Sequence, residues 1–448
     1  MNRISGLLVA AAVLMLSACD NESALPAATG KASIRAINAM PRSPEFLFLI
    51  EERSLGSVAY KSASSTASYD DLEYTFNIDM LFAGELSLRR VARQFIDVQA
   101  DRDYTLLVSG DVANPTITIW EDDERTFDEG STVFEARFAH TSASLGAIDY
   151  YFAAPDVVPA LGQQVATLSF GEIADPIDYA EGEYVLTITP AGDPDTVLYV
   201  SPVTTLVAGN TLFITPFDGI ASDVAPVVVR AIAVSGGAIT LPDARFPSTI
   251  EFVNASIDLG TSDIYDDEAL TSQIVADHAY RDVTEEISIV DNNSAFFYTP
   301  AGDTGAVTLK AALSDFGGIR FRIVATGVAG ALQTLNLVPD RAGVDTQVKL
   351  SALHTSNNFA FLDVYAVDAG EGIDDARAVA SLVPLEPANA ALTGGSYDLY
   401  VTEFREKTVL AGPYRVDVSV GDVIDMIILD TVDPAVLDVL FPAGVPSN

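Results

Sequence analysis

The stretch Arg137-Phe138-Ala139-His140-Thr141-Ser142, followed after a turn through Gly146 by Ile148-Asp149-Tyr150-Tyr151-Phe152, decides how this chain is read, because it recurs. Asp149 and Tyr151 follow His140 at offsets of nine and eleven, as Asp263 and Tyr265 follow Asn254 and as Asp363 and Tyr365 follow His354. A degenerate copy begins at Asn38, where Leu47 and Leu49 stand at those offsets. Because the two offsets differ by two, Asp and Tyr share one face of a strand. The pattern implies four copies of one small β domain.

The copies are expected at residues 31–124, 131–234, 249–339 and 347–441, with linkers at Glu121–Gly130, Ser235–Pro247 and Asp340–Asp345. Tyr74 to Ile78 and Gly182 to Ile188 alternate with a period of two, as half-buried strands do. Thr189-Pro190-Ala191-Gly192-Asp193 reappears as Thr299-Pro300-Ala301-Gly302-Asp303, the same turn in two copies, with Pro fixing φ and Gly relieving the strained position. About seven or eight short strands per copy predict an all-β chain of four tandem antiparallel two-sheet sandwiches. Helical periodicity is confined to Asp374–Leu382 and Asp267–Asp277. A propeller fits poorly, since blades repeat every 40 to 50 residues or so and this period is roughly twice that. The expected arrangement is beads in a row.

With 63 acidic and 24 basic residues among 448, the net charge is −39. That field repels nucleic acid, and it should repel a bare anionic membrane, which needs clustered Lys and Arg. An apolar content of 49% excludes a disordered chain. The charge reads as solubility in a saline or divalent-rich medium, with calcium at Asp263–Glu268 or Asp368–Asp375 as the sharper reading. No other cofactor is expected.

At the start, Arg3 precedes the apolar run Leu7 to Leu16, and Leu16-Ser17-Ala18 precedes Cys19. This resembles the lipobox of bacterial lipoproteins, which implies removal of residues 1–18, acylation of Cys19 and a tether over 19–30. Asp20 resembles an inner-membrane retention signal, although the choice of inner or outer membrane stays open. The apolar run is shorter than the roughly 20 residues that cross a bilayer. Cys19 is the only cysteine, so no internal disulfide is expected.

His140-Thr141-Ser142 with Asp149 and Tyr151, Asn254-Ala255-Ser256 with Asp263 and Tyr265, and His354-Thr355-Ser356 with Asp363 and Tyr365 also resemble a family. It is the tandem domain-of-unknown-function repeats of bacterial envelope lipoproteins, whose signature is His-Ala-Ser-Pro followed by Val-Asp-Val-Tyr. The Pro after Ser is missing in every copy here. The resemblance implies immunoglobulin-like sandwiches outside the cytoplasm and no known catalysis.

The nine recurrent residues are candidate ligand contacts, four weak patches adding by avidity. The alternative is that His or Asn bonds its own turn, Asp accepts from neighbouring amides and Tyr packs across the sandwich. The exchange of His for Asn favours the second, because only His is a physiological acid-base group. The three histidines lie in three different copies, and there is no His-Glu-x-x-His and no second thiol, so a zinc site is not expected. No Gly-x-Ser-x-Gly elbow or phosphate loop is present. Trp120, the single tryptophan, is either a sugar platform or a packed side chain. The expectation is a lipid-anchored, non-catalytic adhesion, spacer or binding module of the envelope. Its partners would be the membrane, through the anchor, and an envelope protein or cell-surface polymer. A hydrolase acting on polysaccharide through an Asp/Glu pair is the alternative.

Overall fold

The structure, a computed structural model, describes residues 28–234, 236–289, 293–314 and 317–444. Cys19, the segment 1–18 and most of the tether lie outside the described residues. The described residues form strands and turns without a helix. At Asp267–Asp277 and Asp374–Leu382, the two stretches with helical periodicity, turns and the short strands Gln273–His278 and Ala380–Leu382 stand instead.

The first part of the chain folds as β1 (Lys31–Asn38), β2 (Phe46–Ile50), β3 (Arg53–Val58), β4 (Ala67–Asp70), β5 (Glu73–Met80), β6 (Arg89–Asp97), β7 (Arg102–Asp111) and β8 (Asn114–Asp123). One sheet has the order β4-β1-β7-β8 and its mate β3-β2-β5-β6. The same two orders return three more times. In the second sheet pair Val133–Phe138 and Thr211–Asp218 are the counterparts of β1 and β7; in the third Thr249–Asn254 and Arg320–Thr326; in the fourth Val348–His354 and Val423–Asp430.

In every pair these two central strands run parallel, with Ile34 opposite Tyr104, Ala136 opposite Leu212, Phe252 opposite Ile323 and Ala352 opposite Met426. The expected antiparallel pairing holds for the other strand pairs, and these four central pairs depart from it. A parallel pair needs a long crossover, and here the whole mate sheet supplies it.

Each sheet pair encloses its own core. Ile34, Ala36, Phe46, Phe48, Phe76, Ile78 and Leu106 fill the first, and Phe134, Phe138, Ile148, Tyr150, Ile188 and Ile214 the second. Ile250, Phe252, Ile264, Tyr298 and Ile323 fill the third, and Leu350, Val364, Leu399, Val416 and Met426 the fourth. Their inward side chains alternate with outward ones, as a pleated strand requires.

The outward side chains of the central strands are buried as well. Ile37, Ala39, Leu107 and Trp120 of the first pair pack on Ala139, Phe213, Phe217 and Ile232 of the second. Val253, Ala255 and Val324 of the third pack on Leu353, Ile427 and Leu429 of the fourth. The beads-in-a-row expectation is therefore corrected: the sheet pairs are joined two by two through the same sheet face. Strands covered on both faces lose the alternation of buried and exposed positions, and every residue from Ile34 to Asn38 and from Ala136 to His140 is buried.

Charges are sealed into both junctions. Arg137 pairs with Glu135 at 2.6 Å and with Asp122, while Arg35 lies 4.0 Å over the Phe213 ring and donates to the Ala233 carbonyl at 2.8 Å. Arg322 bridges Glu251 and Asp425, the latter at 2.7 Å across the second junction. The two halves touch through a bridge between Asp223 and Ile319 and through Arg42 and Asp345 at 2.6 Å.

Two of the expected linkers are also structured. Ala238–Leu241 adds a fifth strand to the second pair, and Glu121 to Asp123 belong to β8. Within the third, Arg341 reaches both Glu251 and Glu286 at 2.5 Å. Polarity marked these segments as linkers, whereas Glu121, Asp122, Asp123, Asp340 and Arg341 are held in ion pairs.

Candidate functional site

The recurrent His or Asn stands at the end of the first central strand of each sheet pair, and all four such residues are fully buried. Its backbone carbonyl accepts from a residue of positive φ in the loop after the third strand: Lys61 for Asn38, Gly171 for His140, Arg281 for Asn254 and Leu385 for His354. Its side chain reaches forward to the next loop. His140 Nε2 is 2.8 Å from the Gly146 carbonyl, Asn254 Nδ2 2.8 Å from that of Gly260, and His354 Nε2 3.1 Å from that of Phe359.

In three of the four the other polar atom accepts from the amide two residues on, whereas His140 Nδ1 is buried without a partner. Ser356 N donates to His354 Nδ1 at 3.2 Å, Ser256 N to Asn254 Oδ1 at 3.1 Å and Met40 N to Asn38 Oδ1 at 3.0 Å. Imidazole and carboxamide offer an acceptor and a donor with the same spacing, which accounts for their exchange. With Nδ1 accepting, His354 is the neutral Nε2–H tautomer, assigned from its partners. Burial lowers the pKa of His140 and of His354.

The recurrent carboxylates are buried too, and their oxygens are occupied. Gly192 N donates to Asp149 at 2.7 Å, Gly302 N to Asp263 at 2.8 Å and Arg405 N to Asp363 at 2.8 Å. The second oxygens accept from Thr167 Oγ1, Asp277 N and Ser381 Oγ. Two sequence signals thus meet: the carboxylate at offset nine caps the repeated Pro-Ala-Gly-Asp turn, in which Gly192 and Gly302 have φ of 79° and 74°. In the fourth pair Arg405 adopts that left-handed conformation at φ 62°.

Tyr151, Tyr265 and Tyr365 share the Asp face, which points away from the core rather than across the sandwich. Tyr151 lines a small cavity with Val157, Val158 and Pro159, and Tyr365 packs on Ile373 with Lys407 Nζ 4.2 Å from its ring. In the second, third and fourth copies the structure brings the His or Asn, the Asp and the Tyr to one end of a sheet pair as buried residues, and the nine meet at no common surface.

Two carboxylates that the sequence reading passed over complete the motif. Ser142 Oγ and Ser144 Oγ donate to Asp218, and Ser356 Oγ and Asn358 Nδ2 to Asp430. Thr141 and Thr355 donate to the carbonyls of Pro216 and Ile428 at 2.6 and 2.7 Å. The signal was available, because Phe217-Asp218 and Leu429-Asp430 each end an apolar strand.

Trp120 is buried, stacked at 6.4 Å on Phe213, and its Nε1 donates to the Gly171 carbonyl at 2.9 Å. Among the described residues no three His, Cys, Asp or Glu side chains converge as metal ligands. In the acidic stretch after Asp263, Asp267 caps Thr271 and Ser272 instead. No helix among the described residues is long and apolar enough to cross a membrane. An opening of about 440 Å³ between loops of the third and fourth pairs is lined by Ser256, Asp258, Asn357, Asp430 and Val432, and contains none of the nine recurrent residues.

Residues 32–151 match the model of a domain of unknown function, DUF4397. The match runs from β1 through the whole first sheet pair and ends at Tyr151, so it takes in Asn38, His140 and Asp149. No curated protein matches the chain. Among solved structures, the Bacillus anthracis TIE protein aligns over 90% of this chain and 69% of its own, at 9% identity and a TM-score of 0.15. A product complex of the multi-modular glycogen-degrading pneumococcal virulence factor SpuA aligns over 85% and 38%, at 10% identity and a TM-score of 0.15.

Proposed function

We propose that this chain is a lipid-anchored, non-catalytic envelope protein whose four immunoglobulin-like sandwich domains form a rigid spacer and binding scaffold on the extracytoplasmic side of a bacterial membrane. The observation that carries the reading is the buried sheet face shared by the first and second, and again by the third and fourth, sheet pairs. It fixes neighbours in one orientation, as a load-carrying scaffold needs and a flexible string does not supply. The DUF4397 match supports the domain type, and the Leu16-Ser17-Ala18-Cys19 stretch supports the anchor. The recurrent His, Asp and Tyr hold loops in place, which leaves partner recognition to exposed surfaces that differ among the copies.

Replacing Cys19 by Ala tests the anchor: the protein should move from the membrane fraction to the soluble extracytoplasmic fraction. Retention of the variant with the membrane would remove the anchor from the account. A screen of purified protein against glycans and esters tests the absence of catalysis. Turnover abolished by one carboxylate substitution would replace the scaffold with a hydrolase.

A further inference from the structure

We propose that the cavity where the first, second and third sheet pairs meet binds a small organic carboxylate, with the Arg230 guanidinium as its counter-ion. The cavity has a volume of about 240 Å³. Lys61 comes from the first pair, Arg230 and Thr240 from the second, and Ile319 and Val338 from the third. Val228, Leu241 and Pro242 form an apolar wall that Ile319 and Val338 complete. Drug-sized ligands take pockets from about 300 Å³ upward, so this one suits a molecule of metabolite size.

The charges inside do not cancel. Lys61 Nζ lies 2.6 Å from both oxygens of Asp223, and Ile220 N donates to the same carboxylate at 2.8 Å. Asp243 is held by Arg245, whose Nε and Nη2 reach it at 3.0 and 2.6 Å. Both lining carboxylates are thereby engaged. Arg230 is half-buried and donates through Nη1 to Thr240 Oγ1 at 2.6 Å. Its Nε is buried without a partner, and among the described residues no carboxylate forms an ion pair with it. Burial lowers the Arg230 pKa more than Asp223 raises it. With Lys61 set against Asp223 and Arg245 against Asp243, one positive charge is left over beside apolar walls. A desolvated cation costs stability unless an anion meets it.

The fold does not require that cation. Arg230 stands opposite Thr215 where Val227–Ala233 pairs with Thr211–Asp218. The pairs at the same register in the other copies are Leu107 with Thr118, Val324 with Leu335 and Ile427 with Leu440. Thr118, Leu335 and Leu440 are uncharged, and the two leucines pack at the junction of the third and fourth pairs. The second copy alone places a charge there.

The charge count selects the ligand class. One carboxylate cancels the one free cation and accepts charge-assisted hydrogen bonds from the guanidinium, while the apolar wall takes the carbon body. A phosphate dianion would instead reverse the sign of the site. The net charge of −39 repels anions elsewhere on the chain. The proposal goes beyond the scaffold reading and holds with or without the anchor.

The test titrates the chain from residue 20 onward, which keeps every described residue and has no anchor cysteine, with butanoate, hexanoate and benzoate in a calorimeter. At least one should bind saturably at one site per chain, whereas hexanamide and inorganic phosphate should not. Arg230→Leu, with the side chain that two of its counterparts carry, should weaken binding at least about tenfold, the scale of a hydrogen bond to a charged group, with circular dichroism unchanged. Val338→Trp, at a lining residue 55% exposed, should narrow the cavity and weaken binding too, without touching the guanidinium. No saturable binding of any of the three carboxylates by the folded native chain, or undiminished binding by either variant, would overturn the proposal. So would phosphate bound as tightly as any carboxylate and lost in Arg230→Leu, which assigns the cavity to a phosphorylated ligand.

Discussion

His354 and Asn254 close the same corner of two different sheet pairs with the same two hydrogen bonds, one to the amide two residues on and one to a carbonyl of the following loop. The equivalence makes His354→Asn a tolerated change. His354→Leu strands the Ser356 amide and the Phe359 carbonyl in a buried corner, at a cost of about 1–3 kcal/mol. Urea unfolding midpoints of the two variants should separate accordingly, and equal midpoints would show that the corner holds nothing together.

The capped turns give two substitutions of opposite sign. Gly302→Ala forces a Cβ into φ 74° and should destabilise by about 1–2 kcal/mol. Arg405→Gly relieves the same conformation at φ 62° and should stabilise by up to about 1 kcal/mol. Thermal midpoints measure both.

Stability should fall on the acid side of neutrality. Burial lowers the pKa of His140, His278 and His354 from the ordinary 6.5, so the unfolded chain takes up protons that the fold resists. Their contribution is complete above about pH 6.5 and is lost as pH falls below it. Asp103 and Asp122, raised by burial, act in the opposite direction, gaining stability as pH drops through their elevated values. Unfolding free energies between pH 7 and pH 5 should decline, with a shallower slope in His354→Asn; a flat profile would contradict the neutral assignment.

Trp120 reports on the first junction because it is the only tryptophan and stacks on Phe213 across it. Its emission should be that of a buried indole. Phe213→Ala should shift emission to the red and cost about 3–5 kcal/mol. An unchanged spectrum would mean that the two sheet pairs do not meet in solution.

Much of this was legible in the sequence, and the reasons differ by element. The offset of two between Asp149 and Tyr151 placed them on one strand face, and the Pro-Ala-Gly-Asp repeat announced a turn with a left-handed glycine. Which face could not be read, since Asp149 and Tyr151 are buried although they face away from the core. The parallel central strands were hidden because pairing between Ile34 and Tyr104 spans the whole mate sheet. The junctions leave little trace in the sequence, because Arg35 and Asn38 keep polar residues in a stretch that is buried on both sides from Ile34 to Ala39. Nothing local in the sequence marks Arg137 and Arg322 as buried, because their partners Asp122 and Asp425 belong to other strands.

Small-angle X-ray scattering of the chain from residue 20 onward tests the paired arrangement most directly. A single compact body of this length has a radius of gyration of about 22 Å, and four beads in a row give one on the order of 40 Å. Sheet pairs joined face to face, with the halves touching at Asp223 and Ile319, predict a value below about 30 Å. A value near that of the extended row would contradict the account.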